Sequence, residues 1–485
     1  MTDATLSARA LENLLGDWRG AARGAVYLAL AERVRLLILD GRVSVETRLP
    51  AERELADRLG LSRTTVTAAY RHLREQGLLR SLRGSGSVAR LPGAPAAMPA
   101  PPASLQLDLS KAAPAALPWL AEVAREAADE LPAHLGDSGF DPIGTPALRQ
   151  AIADRYALRG LPTSPDQIMV TIGAQHAIAL LSRVLVGRGD RAVIEAPTYP
   201  HAYEALRVAG ARLVTVPVSP HDAIAALTSS DDEVEALERA FARANPSAAY
   251  LMPDFQNPTG RSLDESGRER VLDAAARQGT VIIADETTAE LDIDRAFEPL
   301  PLAAYGPPGT AVLIGSVGKT VWGGVRIGWI RAEPTLIRKL VAVRAPGDLG
   351  TPILEQLLVT RLMPRMDEIL ALRRAELRAG RDRLEELIAE AFPEWHVPHV
   401  DGGIATWIGI GAPVSSQLAL AARSQGLLIA AGPRFGIDGA FERFLRLPIC
   451  QPVAETEAAV QALRVAWESM AGMPAVDVGL LPAVV

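Results

Sequence analysis

The chain has 485 residues, of which 48% are hydrophobic and 22% charged, with a formal net charge of −7. At roughly 100–200 residues per domain this length accommodates two to four domains and a large core, and the charge balance excludes both a disordered acidic chain and a uniformly basic nucleic-acid binder. The single cysteine, Cys450, excludes an intramolecular disulfide framework and a cysteine-based zinc site, so no metal ligand is expected. No apolar run reaches the roughly 18 residues of a membrane helix, and the opening MTDATLSARALENLLGDW lacks the pattern of a signal peptide, so a cytoplasmic protein with no membrane partner is expected.

Residues 1–22 read as a short tail. Residues 23–92 then hold 13 arginines against seven acids, while the rest of the chain carries the acidic excess. A basic module on an acidic body points to nucleic-acid contact by that module alone. Within it, Tyr27 to Leu39 places Leu30, Val34, Leu37 and Ile38 on one helical face, and Gly41 ends the helix. Pro50 fits the first turn of a second helix with Leu55, Ala56 and Leu59 inward. Gly60 and Leu61 turn the chain, and Ser62 caps a third helix whose Val66, Ala69, Tyr70 and Leu73 face inward. Arg63, Thr64, Thr65 and Thr67 are left near its exposed start, and RSLRGSGSVAR after Gly77 reads as a two-stranded wing. Periodicity alone also fits a small helical domain with solvated arginines.

The words RLPAERELA, LSRTTVTAAYRHL, QGLL and GSGSV give residues 25–90 a resemblance to the winged helix-turn-helix DNA-binding domain of the GntR family of bacterial regulators. The resemblance implies a DNA-binding domain over 23–90 and contacts to double-stranded DNA from Arg53, Ser62, Arg63, Thr64 and Thr65, with Arg83 and Gly84 at the wing tip.

Residues 91–107 (LPGAPAAMPAPPASLQL) contain five prolines, five alanines and no charge. Such a segment reads as an extended linker reaching roughly 50 Å at about 3.1 Å per residue. The body that follows alternates strands with helices. Strands are expected at Ile168–Thr171, Ala192–Glu195, Leu213–Val218, Ala249–Met252, Val281–Asp285, Val312–Ser316 and Trp329–Arg331. Helices are expected at Gln175–Val186, Tyr203–Val208, Val234–Ala244 and Glu265–Arg277. Near-continuous apolar strands alternating with helices imply an α/β fold with a mostly parallel sheet and ligands at the carboxyl ends of its strands. Beyond about residue 352, long helices with the strand-like words IATWIGI, LLIAA and FLRLPI indicate a smaller C-terminal α+β subdomain, to about 475.

Several motifs fall at those strand ends. GSVGKT resembles a phosphate-binding P-loop, but Leu313 stands where that loop needs its first glycine, which removes the nucleoside-triphosphate reading. Only three of the 50 basic residues are lysines: Lys111, Lys319 and Lys339. Lysine sits where arginine cannot serve if the task is imine formation, which needs a primary amine able to lose its proton. Lys319 follows one strand, Asp285 ends another and needs a positive partner, and Asn257 lies in the turn word DFQNPTG. Gly173, Ala174 and Gln175 open a helix and offer a phosphate cradle.

The ordered words GFDPIGTPALRQAIADRY, QIMVTIGAQHAI, EAPTYPHA, DFQNPTGRSL, IIADE, SVGKTVWGGVRIGW and FLRLPI resemble the fold-type I, pyridoxal-phosphate-dependent aminotransferases over about residues 108–475. That resemblance implies the cofactor pyridoxal 5′-phosphate, held as an internal aldimine by Lys319. It pairs Asp285 with the ring nitrogen, Asn257 with the ring hydroxyl and Tyr199 with the ring face. It assigns the phosphate to Ala174, Gln175, Ser316 and Arg326, and a substrate or effector carboxylate to Arg446, with Arg434 of GPRFG read as a loop residue. Thr287 occupies the cofactor-site position where the family has a tyrosine on the ring hydroxyl; it is too short for that reach, which leaves Asn257 alone there. Gly318 replaces the Ser or Thr often found before the lysine. A GntR-type reader joined by a linker to such a body resembles the MocR subfamily of regulators. The expected protein is a homodimeric DNA-binding regulator that senses pyridoxal phosphate or a small amino compound. The alternatives are a working aminotransferase with an accessory DNA-binding module, and a regulator whose body only dimerises.

Overall fold

The computed structural model describes residues 6–16, 18, 25–39, 43, 47–82, 86–89, 107–136, 138–218, 230–437 and 439–470. The chain separates into two compact units, one spanning 1–106 with 414–426 and 465–485, the other 107–413 with 427–464.

The first unit begins with α1 (Ala8–Leu15), α2 (Val26–Leu39), α3 (Glu52–Leu59) and α4 (Arg63–Glu75), then the hairpin β1 (Leu79–Leu82) and β2 (Gly86–Ala89). Leu30, Val34, Leu55, Val66, Tyr70 and Leu73 close its core. Gly60 ends α3 in the left-handed region at φ 63°, which lets the chain turn sharply into α4. Pro50 does not enter the first turn of α3. The helix starts at Glu52 with Ala51 as its N-cap, and the Pro50 carbonyl instead accepts a 3.0 Å hydrogen bond from the buried Tyr70 hydroxyl.

The second unit opens with β3 (Leu107–Asp108), α5 (Leu120–Glu130) and α6 (Pro146–Leu158). There follow β4 (Ile168–Thr171), α7 (Gly173–Leu185), β5 (Arg191–Ala196), α8 (Pro200–Ala209), β6 (Arg212–Pro217), α9 (Ser230–Ala244), β7 (Ala248–Leu251), α10 (Glu265–Gln278), β8 (Val281–Asp285), β9 (Ala311–Ser316) and β10 (Gly328–Arg331). All seven expected strands join one sheet in the order β4-β10-β9-β8-β7-β5-β6. Six run parallel, and β10 is antiparallel to both its neighbours. The connection from β9 to β10 holds only a short 3₁₀ turn, Gly323–Val325, and no crossover helix, so β10 returns antiparallel. Alternate residues of each strand serve two cores, one with Val193, Leu251, Ile282 and Leu313, the other with Ile194, Tyr250, Ile283 and Ile314.

Helices α11 (Pro334–Arg344), α12 (Ile353–Leu362) and the long α13 (Met366–Ala391) lead to a small antiparallel sheet. Its strands are β11 (Ala405–Gly409), β13 (Ala430–Ala431) and β14 (Phe444–Pro448), in the order β11-β14-β13. The word LLIAA, read as one strand, splits: β12 (Leu427–Leu428) pairs in parallel with β3, and only Ala430–Ala431 joins β14. Helices α14 (Ser415–Ser424) and α15 (Val453–Met470) complete the description. Among the described residues no helix is long and apolar enough to cross a membrane.

Candidate functional site

The sheet's direction explains why distant motifs meet. Parallel strands β4, β5, β7, β8 and β9 end at one edge, and Gly173–Gln175, Tyr199, Asn257, Asp285 and Ser316–Lys319 lie at or just beyond those ends. Because β10 runs the other way, its start, with Arg326 two residues before it, arrives at the same edge.

Lys319 follows β9. Burial pushes its amine below the usual lysine range, and the positive charges of Arg446 and Arg326 act in the same direction against Cys450 and Asp285. The amine donates a 2.5 Å hydrogen bond to the carbonyl of Ala112. A depressed lysine pKa leaves more of the free-base nucleophile at neutral pH.

Asp285 ends β8 and is 3% exposed. Its Oδ1 accepts the Thr287 amide N–H at 3.0 Å, and its Oδ2 accepts the Tyr250 hydroxyl at 2.6 Å. Tyr250, on the neighbouring strand β7, was absent from the sequence reading, where AAYLM reads only as apolar strand. A buried phenol needs a partner, and the β7–β8 pairing supplies one. Burial and the Asp285 carboxylate drive the Tyr250 hydroxyl well above its ordinary range, so it stays a donor.

Asn257 sits in a turn whose other polar groups are satisfied. The Gln256 amide donates to the Pro197 carbonyl at 2.7 Å and accepts from the Thr259 backbone and hydroxyl at 3.1 and 2.7 Å. Asn257 is 8% exposed, yet its Oδ1 has no hydrogen-bond partner among the described residues. The Gln175 Oε1 is likewise buried without one, while its Nε2 donates to the His201 carbonyl at 3.2 Å. An orphaned buried acceptor costs about 1–3 kcal/mol, and two at one sheet edge mark a place for a donor from outside the chain.

The anion end is built on backbone. No side chain caps α7, whose N-cap residue is Ile172. Gly328 of β10 lies against it, and a Cβ there would stand 2.7–2.9 Å from the Gly173 and Ala174 backbone, so only glycine fits. Arg326 takes the left-handed conformation at φ 56° and its guanidinium donates to the Ile172 carbonyl at 3.0 Å. The Ser316 hydroxyl donates to the Ile327 carbonyl and accepts the Gly318 N–H, each at 3.0 Å, which fixes the loop carrying Lys319.

Arg446 lies on β14, 6% exposed, with its guanidinium 5.2 Å from the Phe435 ring centroid. Burial lowers its pKa to about 10. Its Nη2 donates to the Ser110 carbonyl, and its Nε is buried without a partner among the described residues. Arg434 is exposed in a 3₁₀ turn, Gly432–Phe435. Tyr199 is the N-cap residue of α8, with its ring edge-on to His201 at 5.3 Å; burial and Asp285 raise its hydroxyl to about 12. Cys450, to which the sequence assigns no role in the site, borders Lys319 and Arg446 electrostatically, and burial raises its thiol to about 11 despite them. Thr287 lines a cleft with Tyr156, Arg159, Glu290, Ser316 and Trp329.

In the first unit, Ser62 caps α4 by accepting the Thr65 N–H at 3.1 Å, and its hydroxyl contacts those of Thr64 and Thr65 at 2.7 Å. Arg53 and Arg63 are exposed at the starts of α3 and α4. Thr67 is turned inward, donating to Glu52 at 2.7 Å. Arg83 and Gly84 lie outside the described residues.

These residues fit pyridoxal phosphate: an amine of lowered pKa, a buried carboxylate, orphaned amide oxygens, and an uncapped helix start beside an arginine. Residues 108–463 match the family described as aminotransferase class I and II, and residues 26–88 match the bacterial regulatory proteins of the gntR family. The chain is 27% identical over 449 residues to the HTH-type transcriptional regulator YdcR of Escherichia coli, covering 87% of this chain and 94% of that one. It is 29% identical over 335 residues to the 2-aminoadipate transaminase of Thermus thermophilus, covering 67% of this chain and 79% of that one. Among solved structures, the α-aminoadipate aminotransferase LysN of Thermus thermophilus, complexed with N-(5′-phosphopyridoxyl)-L-leucine, superposes with a TM-score of 0.67. The identity is 28%, over 76% of this chain and 93% of that one. The chain belongs to the aminotransferase class I and II family and carries a GntR-family DNA-binding domain ahead of it, the architecture of the MocR-type transcriptional regulators.

Proposed function

We propose that this regulator holds pyridoxal 5′-phosphate at the carboxyl edge of its sheet and changes its hold on duplex DNA when a small amino compound occupies the same site. Lys319 is the amine that takes the cofactor's aldehyde. Asp285, fixed by Tyr250 and the Thr287 amide, holds a proton on the ring nitrogen, and Asn257 gives its free Oδ1 to the ring hydroxyl. Tyr199 covers the ring. Ala174, Gln175, Ser316 and Arg326 surround the phosphate, and Arg446 takes a carboxylate as a bidentate partner. When bound, the cofactor supplies an electrophilic carbon and a ring that withdraws electrons.

One observation carries the sensing reading. The two cationic side chains that the ligands need, Lys319 and Arg446, both donate to carbonyls of a single segment, at Ala112 and Ser110. That segment directly follows the linker. Occupying Lys319 and Arg446 removes both anchors from it, so the two states of the linker's end differ in free energy between free and bound protein, as a switch requires. Thr287 leaves Asn257 without a second side-chain partner at the ring hydroxyl. One missing hydrogen bond in an organised site costs about a hundredfold in rate, which a sensor tolerates and an enzyme does not.

The reader binds through Arg53, Ser62, Arg63, Thr64 and Thr65, with Arg83 and Gly84 completing the wing. A homodimer of the body would present two readers to half-sites about 34 Å apart or a multiple of it. The test is an operator-binding titration run beside absorption spectra, with pyridoxal phosphate and a panel of amino acids. A spectral shift that moves operator affinity supports the reading. Rapid multiple-turnover exchange of amino and keto acids with unchanged operator affinity would make the protein an aminotransferase with an accessory DNA module.

A further inference from the structure

The anion end of the site depends on a side chain that does not face the ligand. Ile172 stands between β4 and α7 with no side chain capping the helix. It is held from both sides: its carbonyl accepts the Arg326 guanidinium at 3.0 Å, and its N–H donates to Nδ1 of His176 at 3.2 Å. His176 lies one helical turn into α7. Its Nε2 meets Asp348 Oδ2 at 3.0 Å, and Asp348 is in turn fixed by Arg344 Nε at 2.7 Å and the Gly350 N–H at 3.0 Å. Arg344 is fully buried and anchored on the carbonyls of Pro142 and Val170, each at 2.8 Å.

This order of contacts fixes the tautomer. A carboxylate at Nε2 keeps the ring proton there and leaves the Nδ1 lone pair free to accept the Ile172 N–H. We propose that His176 is a positioning residue for the cofactor's phosphate: by accepting the Ile172 N–H it fixes the peptide on which Arg326 rests, and so sets the guanidinium beside the uncapped start of α7. The inference rests on the phosphate being bound there, as the proposed function has it.

The arrangement works only while His176 is neutral. The charged groups facing the ring are Asp348, Arg344 and Arg183. Burial lowers the imidazole pKa below its usual value, Arg344 and Arg183 lower it further, and Asp348 opposes them. At neutral pH the lone pair is therefore present. As pH falls through the histidine's pKa, Nδ1 gains a proton and presents a donor to a donor, which releases Ile172 and loosens Arg326. The phosphate itself gains a proton near pH 6, with a second pKa of about 6, so acidification alone is not diagnostic.

Two substitutions separate the effects. Asn in place of His176 sets Oδ1 near the Nδ1 position and accepts at any pH; Leu does not accept at all. The full-length protein is titrated with pyridoxal phosphate and with pyridoxal, which lacks the phosphate, at pH 8 and pH 6. Amide exchange at Ile172 is followed in parallel. His176→Leu is expected to weaken pyridoxal phosphate about tenfold at pH 8, leave pyridoxal unchanged and deprotect the Ile172 amide. His176→Asn is expected to keep near wild-type affinity at pH 8 and to lose no more affinity than wild type at pH 6. Equal losses for both cofactor forms in His176→Leu, or a loss in His176→Asn at pH 8 as large as that in His176→Leu, would overturn the proposal. If wild type binds neither form, the cofactor reading fails; Ile172 protection unaffected by His176→Leu would sink the positioning link on its own.

Discussion

The two units solve recognition in opposite ways. In the winged helix the polar groups offered to DNA are exposed. Arg53 and Arg63 stand at helix starts, and the Ser62 hydroxyl bonds those of Thr64 and Thr65. In the body the proposed ligand-binding groups are buried or half-buried and held by the protein itself: Lys319 on Ala112, Arg446 on Ser110, Asp285 on Tyr250. A flexible, hydrated partner such as DNA can be met by side chains already in water, at the cost of salt-sensitive affinity. A small ligand must be met in a dry site, where each polar group left without a partner is expensive, so the chain supplies temporary ones. Under the proposed function a signal originates in the body, because there a ligand would displace the bonds that hold the segment following the linker.

The largest expected effect lies at Lys319. Lys319→Arg keeps the charge and loses the reactive amine, so borohydride reduction with pyridoxal phosphate should label wild type on the Lys319 peptide alone and the variant nowhere. Label on Lys111 or Lys339 would break the contrast between the buried amine and surface lysines. Next is Arg446→Ala, which should abolish the operator response to carboxylate-bearing amines while cofactor labelling persists; a retained response would place the carboxylate elsewhere.

Among intermediate effects, Arg63→Ala should weaken operator binding by about 1–3 kcal/mol if it reads a base edge, with relaxed specificity at that base. A phosphate-only role predicts a similar loss across all sequences and a shallower salt dependence, and both appear in one duplex-binding series. Tyr250→Phe removes a buried donor to a carboxylate and should weaken cofactor binding by about 1.5–3 kcal/mol, visible in an absorption titration. Unchanged affinity would show that Asp285 holds its place through the Thr287 amide alone.

The smallest effect is a pH shift. Burial holds the Lys319 amine below the usual range, so the rate of cofactor capture should rise with pH and level off below the ordinary lysine value of 10.5. The sign follows from the free base being the reactive form: protonation lost at lower pH means reaction at lower pH. A midpoint at or above 10.5 would mean the amine is solvated rather than buried.

The reader was legible almost completely, because its signals are local. The periodicity of Leu55, Val66, Ala69 and Leu73, the turn at Gly60 and the Ser62 cap all act within one or two helical turns. Two features escaped that local reading: Pro50, placed by a hydrogen bond from Tyr70 twenty residues away, and α1, which lies in the stretch read as a tail and sends Leu11 and Leu15 into the core. In the body, the strands and the ordered motifs at their ends were legible, since apolar runs and turn words are also local. The single antiparallel strand and the division of LLIAA were not, because both depend on which neighbour the chain reaches.

By itself the sequence determined the two-part design and the candidate side chains at the strand ends, among them a rare lysine. Tertiary structure alone decided which atoms those side chains touch. Tyr250 meets Asp285 only because β7 pairs with β8 in register. The carbonyls of Ser110 and Ala112 that hold Arg446 and Lys319 belong to the backbone, which every residue has and no sequence word marks. Side-chain type is written in the chain, whereas partnership between groups as much as 336 residues apart is set by how the layers pack and by the cost of leaving a buried polar atom alone.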